Sequence, residues 1–474
     1  MLLLQRGKYD LACQIRSCST LAQRRYRNER FTAFIKCYCV VPVIVFVSLS
    51  FLVSSCFGSD WPQWRGPDFN GASAETGLPV QWSRTDNIAW RIDLPGPSAA
   101  TPIVSGDHVF ISSSDPAQDM LLALCVDRKT GKVLWQKEIA RGQRRESYSN
   151  YASPSPATDG NVILFFYGNG DLVAFDFSGN RLWSKNVQEE YGPFAFNWSF
   201  SSSPLLFRDK LYLQVLQRDV PVDGRGFTDR KNESYLLAME PETGNVLWRA
   251  LRPSEAKMES REAFSTPVPF THQGRTELLL VGGDDLTGHD PETGKELWRW
   301  GTWNPSRIGH WRLVPSPISG AGVILACAPK QDPIYAVRAG LNGQLDDTAL
   351  AWTSADTKVL TSDVPTPAFY DGDFFVLSDL RKTLSRVNPR TGKTKWQLRT
   401  PGLKKYEASP LVADGKIYLI NFIADVVVVD AGTGKILHQV SMDDPSDDPV
   451  RSSVVVAHGN LFVRTNSSLY CIGK

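Results

Sequence analysis

One nine-residue pattern recurs along this chain at nearly regular intervals, and it constrains the fold more than any other feature. Its clearest copies read Asp/Glu/Asn-x-x-Thr-Gly-x-x-x-Trp and lie at Asp127–Trp135, Glu240–Trp248, Asp290–Trp298 and Asn388–Trp396. Weaker copies run over Asp176–Trp183 and Asp430–His438, and a degenerate one runs from Ile334 to Trp352. Repetition at a fixed period is typical of folds built from one stacked unit, so each copy marks one structural repeat.

A second marker, a serine or threonine followed by proline, precedes each copy. It occurs at Thr101-Pro102, Ser153-Pro154, Ser203-Pro204, Thr266-Pro267, Ser316-Pro317, Thr366-Pro367 and Ser409-Pro410, with 43 to 63 residues between successive prolines. A period near 50 residues accommodates four short strands and their turns, which is the size of one β-propeller blade. Apolar runs on both sides of Asp-Gly, as at Asp371-Gly372, predict hairpins because glycine tolerates a positive φ.

A tryptophan falls at the same place in each repeat, in the predicted fourth strand. We predict that these indoles fill the gaps between neighbouring blades, since one large flat ring buries on the order of 200 Å². The predicted blade-docking residues are Trp90, Trp135, Trp183, Trp248, Trp298, Trp352 and Trp396. Three C-terminal strands lack a fourth, and a lone strand around Trp90 precedes the first repeat. The sequence therefore predicts an all-β fold over residues 87–474, an eight-bladed β-propeller of four-stranded antiparallel blades closed by N- and C-terminal strands.

The first 58 residues have the composition of a targeting sequence. Residues 1–36 hold eight Lys or Arg and two acids, and residues 37–58 are uncharged and largely apolar. A basic head before an apolar segment stays in the cytoplasm, so we expect the body to be exported to the periplasm or cell envelope. Residues 37–58 would either remain as an uncleaved anchor that tethers the body to the membrane or be removed as a cleaved signal. Val53-Ser54-Ser55-Cys56 also resembles a bacterial lipobox, which would make Cys56 a lipidation site. The alternative is that Cys56 is an unmodified small apolar residue at the end of a helix.

The body that follows is mildly acidic. The whole chain carries a net charge of only +2, which is less than the excess of bases in residues 1–36. An acidic surface lacks the footprint of a nucleic-acid-binding protein, so we expect no nucleic acid partner. Cys125, Cys327 and Cys471 lie far apart in apolar runs, which predicts buried small residues and no disulfide framework. We interpret residues 59–86 as an N-terminal extension of the propeller.

The repeats resemble the family of PQQ-like, or quinoprotein-type, β-propeller repeats. The resemblance rests on the Asp-x-x-Thr-Gly-x-x-x-Trp copies and covers residues 60–474. The opening Trp61-Pro-Gln-Trp64-Arg-Gly-Pro67 is similar to the start of exported bacterial members. The resemblance implies one of two functions. Quinoprotein dehydrogenases hold PQQ and calcium on the propeller axis, whereas BamB-type lipoproteins use a similar ring as a non-catalytic scaffold in outer-membrane protein assembly.

Two features that the resemblance implies for alcohol-oxidising members do not occur in this sequence. That branch stacks PQQ on a disulfide between adjacent cysteines and often adds a haem domain, but the chain has neither Cys-Cys nor Cys-x-x-Cys-His. We therefore expect a non-catalytic binding or scaffold protein of the cell envelope, with no cofactor, no metal site and no catalytic residue. The alternative is a PQQ-dependent oxidoreductase acting on an alcohol or sugar, with PQQ and calcium on atypical ligands.

The loops that lead into the predicted inner strands mix aromatic, charged and amide side chains. Because the inner strands surround the axis, these loops should meet at one channel mouth, where they could bind a small molecule, a peptide or a protein. The candidate ligand-binding residues are Tyr148, Asn150, Tyr151, Asn197, Trp198, Arg261, Glu262, His310, Trp311, Arg312, Glu407 and Arg451. The alternative is that these side chains close the channel by pairing with one another and with water.

Overall fold

The chain forms eight sheets arranged as an eight-bladed β-propeller, so the predicted fold class is confirmed. The computed structural model describes residues 59–142, 149–354, 359–444 and 448–473. The predicted head at residues 1–36, the apolar segment at 37–58 and Cys56 lie outside these ranges. Within the described ranges, no helix has the length and apolar character needed to cross a membrane.

Each of the first four blades runs in chain order from an inner strand beside the axis to an outer strand at the rim. The strands are Ile103–Ser105, His108–Asp115, Met120–Asp127 and Val133–Arg141 in blade 1; Ala157–Thr158, Ile163–Phe166, Asp171–Phe175 and Arg181–Asn186 in blade 2; Leu205–Phe207, Lys210–Val215, Tyr235–Met239 and Val246–Leu251 in blade 3; and Val268–His272, Arg275–Gly282, Asp285–His289 and Glu296–Trp300 in blade 4. Neighbouring strands are antiparallel throughout these four sheets.

The remaining blades repeat this order, and the eighth takes its outer strand from the N-terminal part of the chain. The strands are Ile318–Gly320, Val323–Cys327, Ile334–Arg338 and Leu350–Thr353 in blade 5; Ala368–Tyr370, Asp373–Ser378, Thr383–Val387 and Thr394–Arg399 in blade 6; Leu411–Ala413, Lys416–Ile420, Asp425–Asp430 and Ile436–Ser441 in blade 7; and Val455–Ala457, Asn460–Arg464, Ser468–Ile472 and Ile88–Asp93 in blade 8. In blade 8, Trp90 pairs with Cys471 and Asp93 with Ser468, which closes the ring as predicted.

Two short parallel strands add to this pattern. Ala72–Ser73 pairs with the inner strand Leu411–Ala413 of blade 7, and Gly343–Leu345 pairs with the outer strand Glu296–Trp300 of blade 4. The short helical segments of the described chain are an α-helix at Val187–Tyr191 and 3₁₀ turns at Met258–Arg261 and Asp347–Ala349.

The repeated Asp-x-x-Thr-Gly segment is a tight turn between the third and fourth strands. In the first copy, the carboxylate of Asp127 accepts the backbone N–H of Thr130 at 2.8 Å and its hydroxyl at 2.7 Å. The hydroxyl of Thr130 contributes most to lowering the pKa of Asp127. Gly131 adopts a φ of +72° and donates its N–H to the Asp127 carbonyl at 2.9 Å, so this position favours glycine.

The repeated indoles lie on the turn glycines of the next blade. A Cβ atom at Gly131, for example, would lie only 2.8 Å from the ring of Trp90. The pairs are Trp90–Gly131, Trp135–Gly179, Trp183–Gly244, Trp248–Gly294, Trp352–Gly392 and Trp396–Gly434. Five of these indoles also donate to a carbonyl of the same turn, at Arg128, Phe177, Pro241, Pro389 and Ala431, over 2.7 to 3.1 Å. The glycine is therefore needed both for the turn and for the space that the indole occupies.

Trp298 does not rest on a turn glycine, although it lies in one buried cluster with Ile324 and Val337 of blade 5. Its indole N–H donates to Glu277 of its own blade, and the ring lies over Gly288 of the same blade. The reason lies in blade 5, which replaces the Thr-Gly turn by a longer connection. That connection contributes Gly343–Leu345, which pairs with the strand that carries Trp298.

Candidate functional site

Eight hydroxyl side chains, one from each blade, form a closed ring around the channel axis. The backbone N–H of each member donates to the hydroxyl of the next at 2.8 to 3.2 Å. We call this ring the hydroxyl collar, and its members are Thr101, Ser155, Ser203, Thr266, Ser316, Thr366, Ser409 and Ser453. The Ser/Thr-Pro marker thus supplies collar residues, although in blade 2 the member is Ser155 and not the predicted Ser153.

A cavity of about 490 Å³ occupies the channel at the level of the collar. Every collar residue except Ser316 lines it. The loops that lead into the inner strands form one mouth, because they precede the collar residues in the chain. The cavity is large enough for a ligand of small-molecule size.

Residues 61–71, here called the N-terminal strap, cross the opposite end of the channel. Trp61 exchanges two backbone hydrogen bonds of 2.9 Å with Val104 of blade 1. The side chain of Gln63 exchanges two hydrogen bonds with the backbone of Leu206 in blade 3, at 3.0 and 3.1 Å. Other backbone hydrogen bonds join the strap to Thr158, Phe369 and Val412. Because these partners follow the collar in their blades, the strap closes the end away from the loop mouth.

The strap contributes an aromatic and a cationic side chain at this closed end. Trp64 lines the cavity, and the neighbouring Arg65 is only 4% exposed. The Arg65 guanidinium donates to the carbonyls of Pro367 and Pro410 at 2.7 and 3.0 Å. Burial lowers the pKa of Arg65 to about 9, which is still basic enough to carry a charge at neutral pH. The strap belongs to the predicted N-terminal extension, residues 59–86, for which no contact with the channel was predicted.

Four basic side chains line the cavity and are called the rim cations: Arg312, Lys330, Lys405 and Arg451. Two carboxylates, Asp363 and Glu407, line it as well. Glu407 accepts from Arg451 Nε at 2.8 Å and lies 3.7 Å from Lys405 Nζ. Among the described residues of the lining the cations outnumber the carboxylates two to one, which favours an anionic ligand.

Trp198 forms an aromatic part of the cavity wall and is held by an acidic residue. Glu259 accepts from Trp198 Nε1 at 3.3 Å and from Arg312 at 2.9 Å. The Arg312 guanidinium lies 5.8 Å from the centre of the indole. One carboxylate therefore orients both an aromatic and a cationic group of the wall.

Behind this wall lies the completely buried carboxylate of Glu262, which accepts a hydrogen bond from the backbone of Asn197, the residue before Trp198. Both carboxylate oxygens lie 3.1 Å from the backbone N of Asn197, and Arg218 pairs with the same carboxylate. Burial raises the pKa of Glu262 to about 7, against the opposing effect of Arg218. Glu262 therefore changes charge near neutral pH while it positions the Trp198 loop.

A second buried carboxylate lies behind another part of the wall. Lys330 and Gln331 adopt consecutive positive φ angles of 59° and 73°, and Lys330 N donates to Asp363 at 2.5 Å. Asp363 in turn donates its backbone N–H to Asp379, whose other oxygen has no partner among the described residues. Burial and then the charges of Asp363 and Glu407 raise the pKa of Asp379 to about 6. Strained backbone and a shifted carboxyl are typical of functional sites.

The structure brings four of the twelve predicted ligand-binding residues to the cavity wall. They are Trp198, Arg312, Glu407 and Arg451. The wall also contains residues that were not predicted from the sequence: Trp64, Lys330, Gln331, Asp363 and Lys405. Lys405 could have been predicted as a cavity residue, because it lies two residues before the predicted residue Glu407. Lys330 lies between the second and third strands of its blade, where no site was predicted.

The other predicted residues lie away from the cavity or outside the described chain. Asn150 donates to the Pro97 carbonyl at 2.8 Å, and Arg261 pairs with Asp219 at 3.2 Å, so both hold loops. The remaining members that do not line the cavity are Tyr151, Asn197, Glu262, His310 and Trp311. Tyr148 lies outside the described residues.

The fold and the cavity define an eight-bladed propeller of the PQQ-repeat class with a ligand-sized axial site. The chain belongs to the PQQ_2 family, described as outer membrane protein assembly factor BamB, whose model matches residues 72–212, 197–339 and 230–474. Membership in this family confirms the resemblance inferred from the repeats.

Two curated relatives from Pseudomonas putida are enzymes. The quinohemoprotein alcohol dehydrogenase ADH IIB is 25% identical over 359 residues, which cover 69% of this chain and 48% of the relative. The quinoprotein alcohol dehydrogenase PedH is 28% identical over 219 residues, which cover 44% of this chain and 33% of the relative. The chain thus spans half or less of the length of these relatives.

Solved structures share the fold with this chain at low sequence identity. A europium-containing methanol dehydrogenase superimposes with a TM-score of 0.62 at 12% identity, covering 88% of this chain and 98% of the other. BamB from Moraxella catarrhalis gives a TM-score of 0.55 at 12% identity, covering 82% of this chain and 99% of the other. These similarities support the propeller architecture alone.

The curated relatives overturn two expectations drawn from the sequence. A non-catalytic scaffold without a cofactor was expected, but both relatives are alcohol dehydrogenases whose names specify quinone-type cofactors. That expectation is wrong, and the alternative of a PQQ-dependent oxidoreductase is better supported. The error came from treating a missing Cys-Cys pair as evidence against the cofactor, although the pair is only one way to build a stacking surface.

Proposed function

We propose that this chain is a quinone-dependent oxidoreductase that oxidises an alcohol and binds a PQQ-type cofactor in the axial cavity. The similarity to two quinoprotein alcohol dehydrogenases carries the proposal. The cavity supports it, because the cavity is closed at one end by the strap and lined by an excess of cations.

The chemistry of the cavity fits a planar anionic cofactor. PQQ is a flat aromatic ring system with three carboxylates, which the rim cations Arg312, Lys330, Lys405 and Arg451 would hold by charge-assisted hydrogen bonds. Trp64 and Trp198 line the cavity and supply aromatic surface for the rings. When bound, an ortho-quinone supplies a two-electron acceptor for the alcohol carbon.

The described residues do not by themselves fit a calcium ion. They contain no group of three or more His, Cys, Asp or Glu side chains that could hold a metal. Of the two carboxylates in the wall, Glu407 is bound by Arg451, and Asp363 by the backbone of Lys330. A hard cation such as calcium takes six to eight oxygen ligands, so we assign no role to a metal.

The paired carboxyls on one wall suit the proton that alcohol oxidation releases. Asp363 lines the cavity, and Asp379 behind it has one oxygen without a partner in the described part of the chain and a pKa raised to about 6 by burial and by its acidic neighbours. A carboxylate near this pKa accepts protons efficiently around neutral pH. Asp379, which accepts the Asp363 backbone N–H at 3.2 Å, would accept the proton, and Asp363 would form the cavity wall in front of it.

Reconstitution of the full chain tests the proposal. The protein is incubated with PQQ, alone or with calcium or a lanthanide, desalted, and examined for quinone absorbance and for dye-linked oxidation of primary alcohols and sugars. We expect retained quinone, alcohol-dependent dye reduction, and affinity about tenfold weaker in Arg451→Gln than in the exposed control Arg208→Gln. No retained quinone and no dye reduction under any metal condition would reject the proposal.

A further inference from the structure

A groove of about 810 Å³ lies at the rim between blades 1 and 2 and shares no lining residue with the axial cavity. One wall is the outer strand of blade 1, where residues 136–139 line it, and the other is the outer strand of blade 2. The buried side chains of Val173 and Phe175, from the third strand of blade 2, form an apolar floor. Within the described chain, the outer strand of blade 1 has a neighbour on one side only, so its other edge can pair with a further strand.

The equivalent gap between blades 4 and 5 is filled by the chain itself. Gly343–Leu345 runs parallel to the outer strand of blade 4 and places Leu345 beside Trp300. Leu345 also packs against the buried cluster that includes Val337, from the third strand of blade 5. One extended segment therefore pairs with the strand edge and covers the apolar floor of that gap.

The repeat pattern aligns the two gaps residue by residue. Lys137 of blade 1 corresponds to Trp300 of blade 4, because each lies two residues beyond the last tryptophan of its repeat. Phe175 in the floor corresponds to Val337, because each follows the alanine that pairs with the repeat tryptophan of its own blade. The described chain places a fifth strand on the outer edge of blade 4 and none on that of blade 1. The groove thus has the edge and the floor that receive an extended segment elsewhere in the same molecule.

Unpaired charges of opposite sign lie towards the two ends of this groove. Arg181 lies two residues after Gly179, on which Trp135 rests, and Lys137 lies two residues after Trp135. Both cations are therefore towards the end at this turn. Glu189 lines the other end, on the short helix that follows the outer strand of blade 2. Among the described residues, none of these three charged side chains forms an ion pair.

The other charged side chains of the lining are already engaged or point elsewhere. Lys185 pairs with Glu190 at 3.2 Å, and Asp171 accepts from the Asn186 amide at 2.9 Å. Glu138 alternates with Lys137 along a regularly paired stretch of strand, so its side chain points to the opposite face of the sheet. The charges left to meet a ligand are cationic near the turn and acidic near the helix.

We propose that this groove binds an extended segment of a partner protein, which pairs in parallel with residues 136–139 as Gly343–Leu345 pairs with blade 4. Hydrogen bonds to the strand edge supply affinity, and alternate side chains in the groove supply specificity. The segment carries an acidic residue opposite Lys137 and Arg181 and a basic residue near Glu189. Because a parallel segment runs from the turn towards the helix, the acid precedes the base in the partner's sequence.

Two synthetic peptides test the pairing with the quinone-free full chain. Both are fluorescein-labelled nonamers of threonine and valine, with aspartate third and lysine seventh in one and these two residues exchanged in the other. The acid-first peptide should bind about tenfold more tightly in fluorescence anisotropy, and N-methylation of its backbone should abolish binding. Equal affinities for the two isomers, binding that survives N-methylation, or no binding of either peptide at millimolar concentration would overturn the site.

A charge reversal with a matched control locates the binding in the groove. Lys137→Glu should reverse the preference, so that the base-first peptide binds more tightly. Lys132→Glu makes the same change at an exposed turn residue of the same blade that does not line the groove, and it should keep the preference of the parent. Both variants should retain the parent Tm, and the same preference in both would contradict the proposal. Since no quinone is present and Lys137 does not line the axial cavity, failure here leaves the proposed oxidoreductase function untouched.

Discussion

At the scale of single residues, burial sets the charge of the acids that stand behind the cavity wall. Glu262 supports the Trp198 loop and Asp379 supports Asp363, and neither is accessible to solvent. Burial raises the pKa of Glu262 to about 7 and that of Asp379 to about 6. These pKa shifts could not be predicted from composition, because they arise from three-dimensional burial and not from neighbours along the chain.

The raised pKa of Glu262 predicts a specific pH dependence of stability. Between pH 4.5 and 7 the folded state retains a proton that the unfolded state releases, so the free energy of unfolding should fall as pH rises. The fall is about 3 kcal/mol over this window and ends above it. Glu262→Gln should remove this slope, measured as urea midpoints from pH 5 to 8.

The exposed Glu242→Gln variant serves as the control for this experiment, since Glu242 lies in a surface turn. Its pH profile should follow that of the parent protein. Glutamine beside Arg218 resembles the protonated Glu262 of the parent below pH 7, so the two proteins should behave alike at low pH and diverge as pH rises. Parallel profiles for the parent and Glu262→Gln would contradict the shifted pKa.

At the scale of elements, the repeated indole and the repeated glycine are two halves of one contact. In blade 6, Gly392 has a φ of +68°, and a Cβ there would lie 2.7 Å from the Trp352 ring. Gly372, in another turn of the same blade, has a φ of +74° but no atom within 4 Å of the equivalent Cβ. The two glycines share the backbone requirement, and only one provides space for an indole.

This difference predicts unequal costs for the same substitution. Gly372→Ala should lower the free energy of unfolding by about 1 kcal/mol, the cost of a positive φ for alanine. Gly392→Ala should cost about 1 to 3 kcal/mol more, because the methyl group displaces the Trp352 indole. Urea unfolding of both variants measures the gap. Equal midpoints would mean that the indole does not rest on the glycine in solution.

The elements without a repeat were those that the sequence could not place. The N-terminal strap has no internal periodicity, so nothing in residues 61–71 indicated that Trp64 lines the cavity. Trp298 satisfied the repeat pattern, yet its docking partner depends on the turn of another blade, and blade 5 lacks that turn. The collar was visible as Ser/Thr-Pro dipeptides, but its closed hydrogen-bonded ring required the arrangement of all eight blades.

At the scale of the whole molecule, closure depends on one outer strand that comes from the other end of the chain. Ile92 pairs with Leu469 in blade 8 as Leu398 pairs with Leu384 in blade 6, each two residues beyond the docking tryptophan. Leu94, two residues beyond Ile92, donates its N–H to the carbonyl of Ser467, which directly precedes the third strand, at 2.8 Å. Because alternate residues of a strand point the same way, the N–H groups of Ile92 and Leu398 face the adjoining strand.

Proline at either position therefore removes one equivalent backbone hydrogen bond between the third and fourth strands, but the consequences should differ. The outer strand of blade 6 is continuous in the chain with its own third strand, so Leu398→Pro should raise amide exchange in blade 6 alone. Ile92→Pro weakens a strand that only pairing holds to blade 8, so the ring can open and exchange should rise in blades 8 and 1 together. Hydrogen–deuterium exchange with peptide resolution measures this spread. Exchange confined to one blade in both variants would show that the ring holds together without its terminal strand.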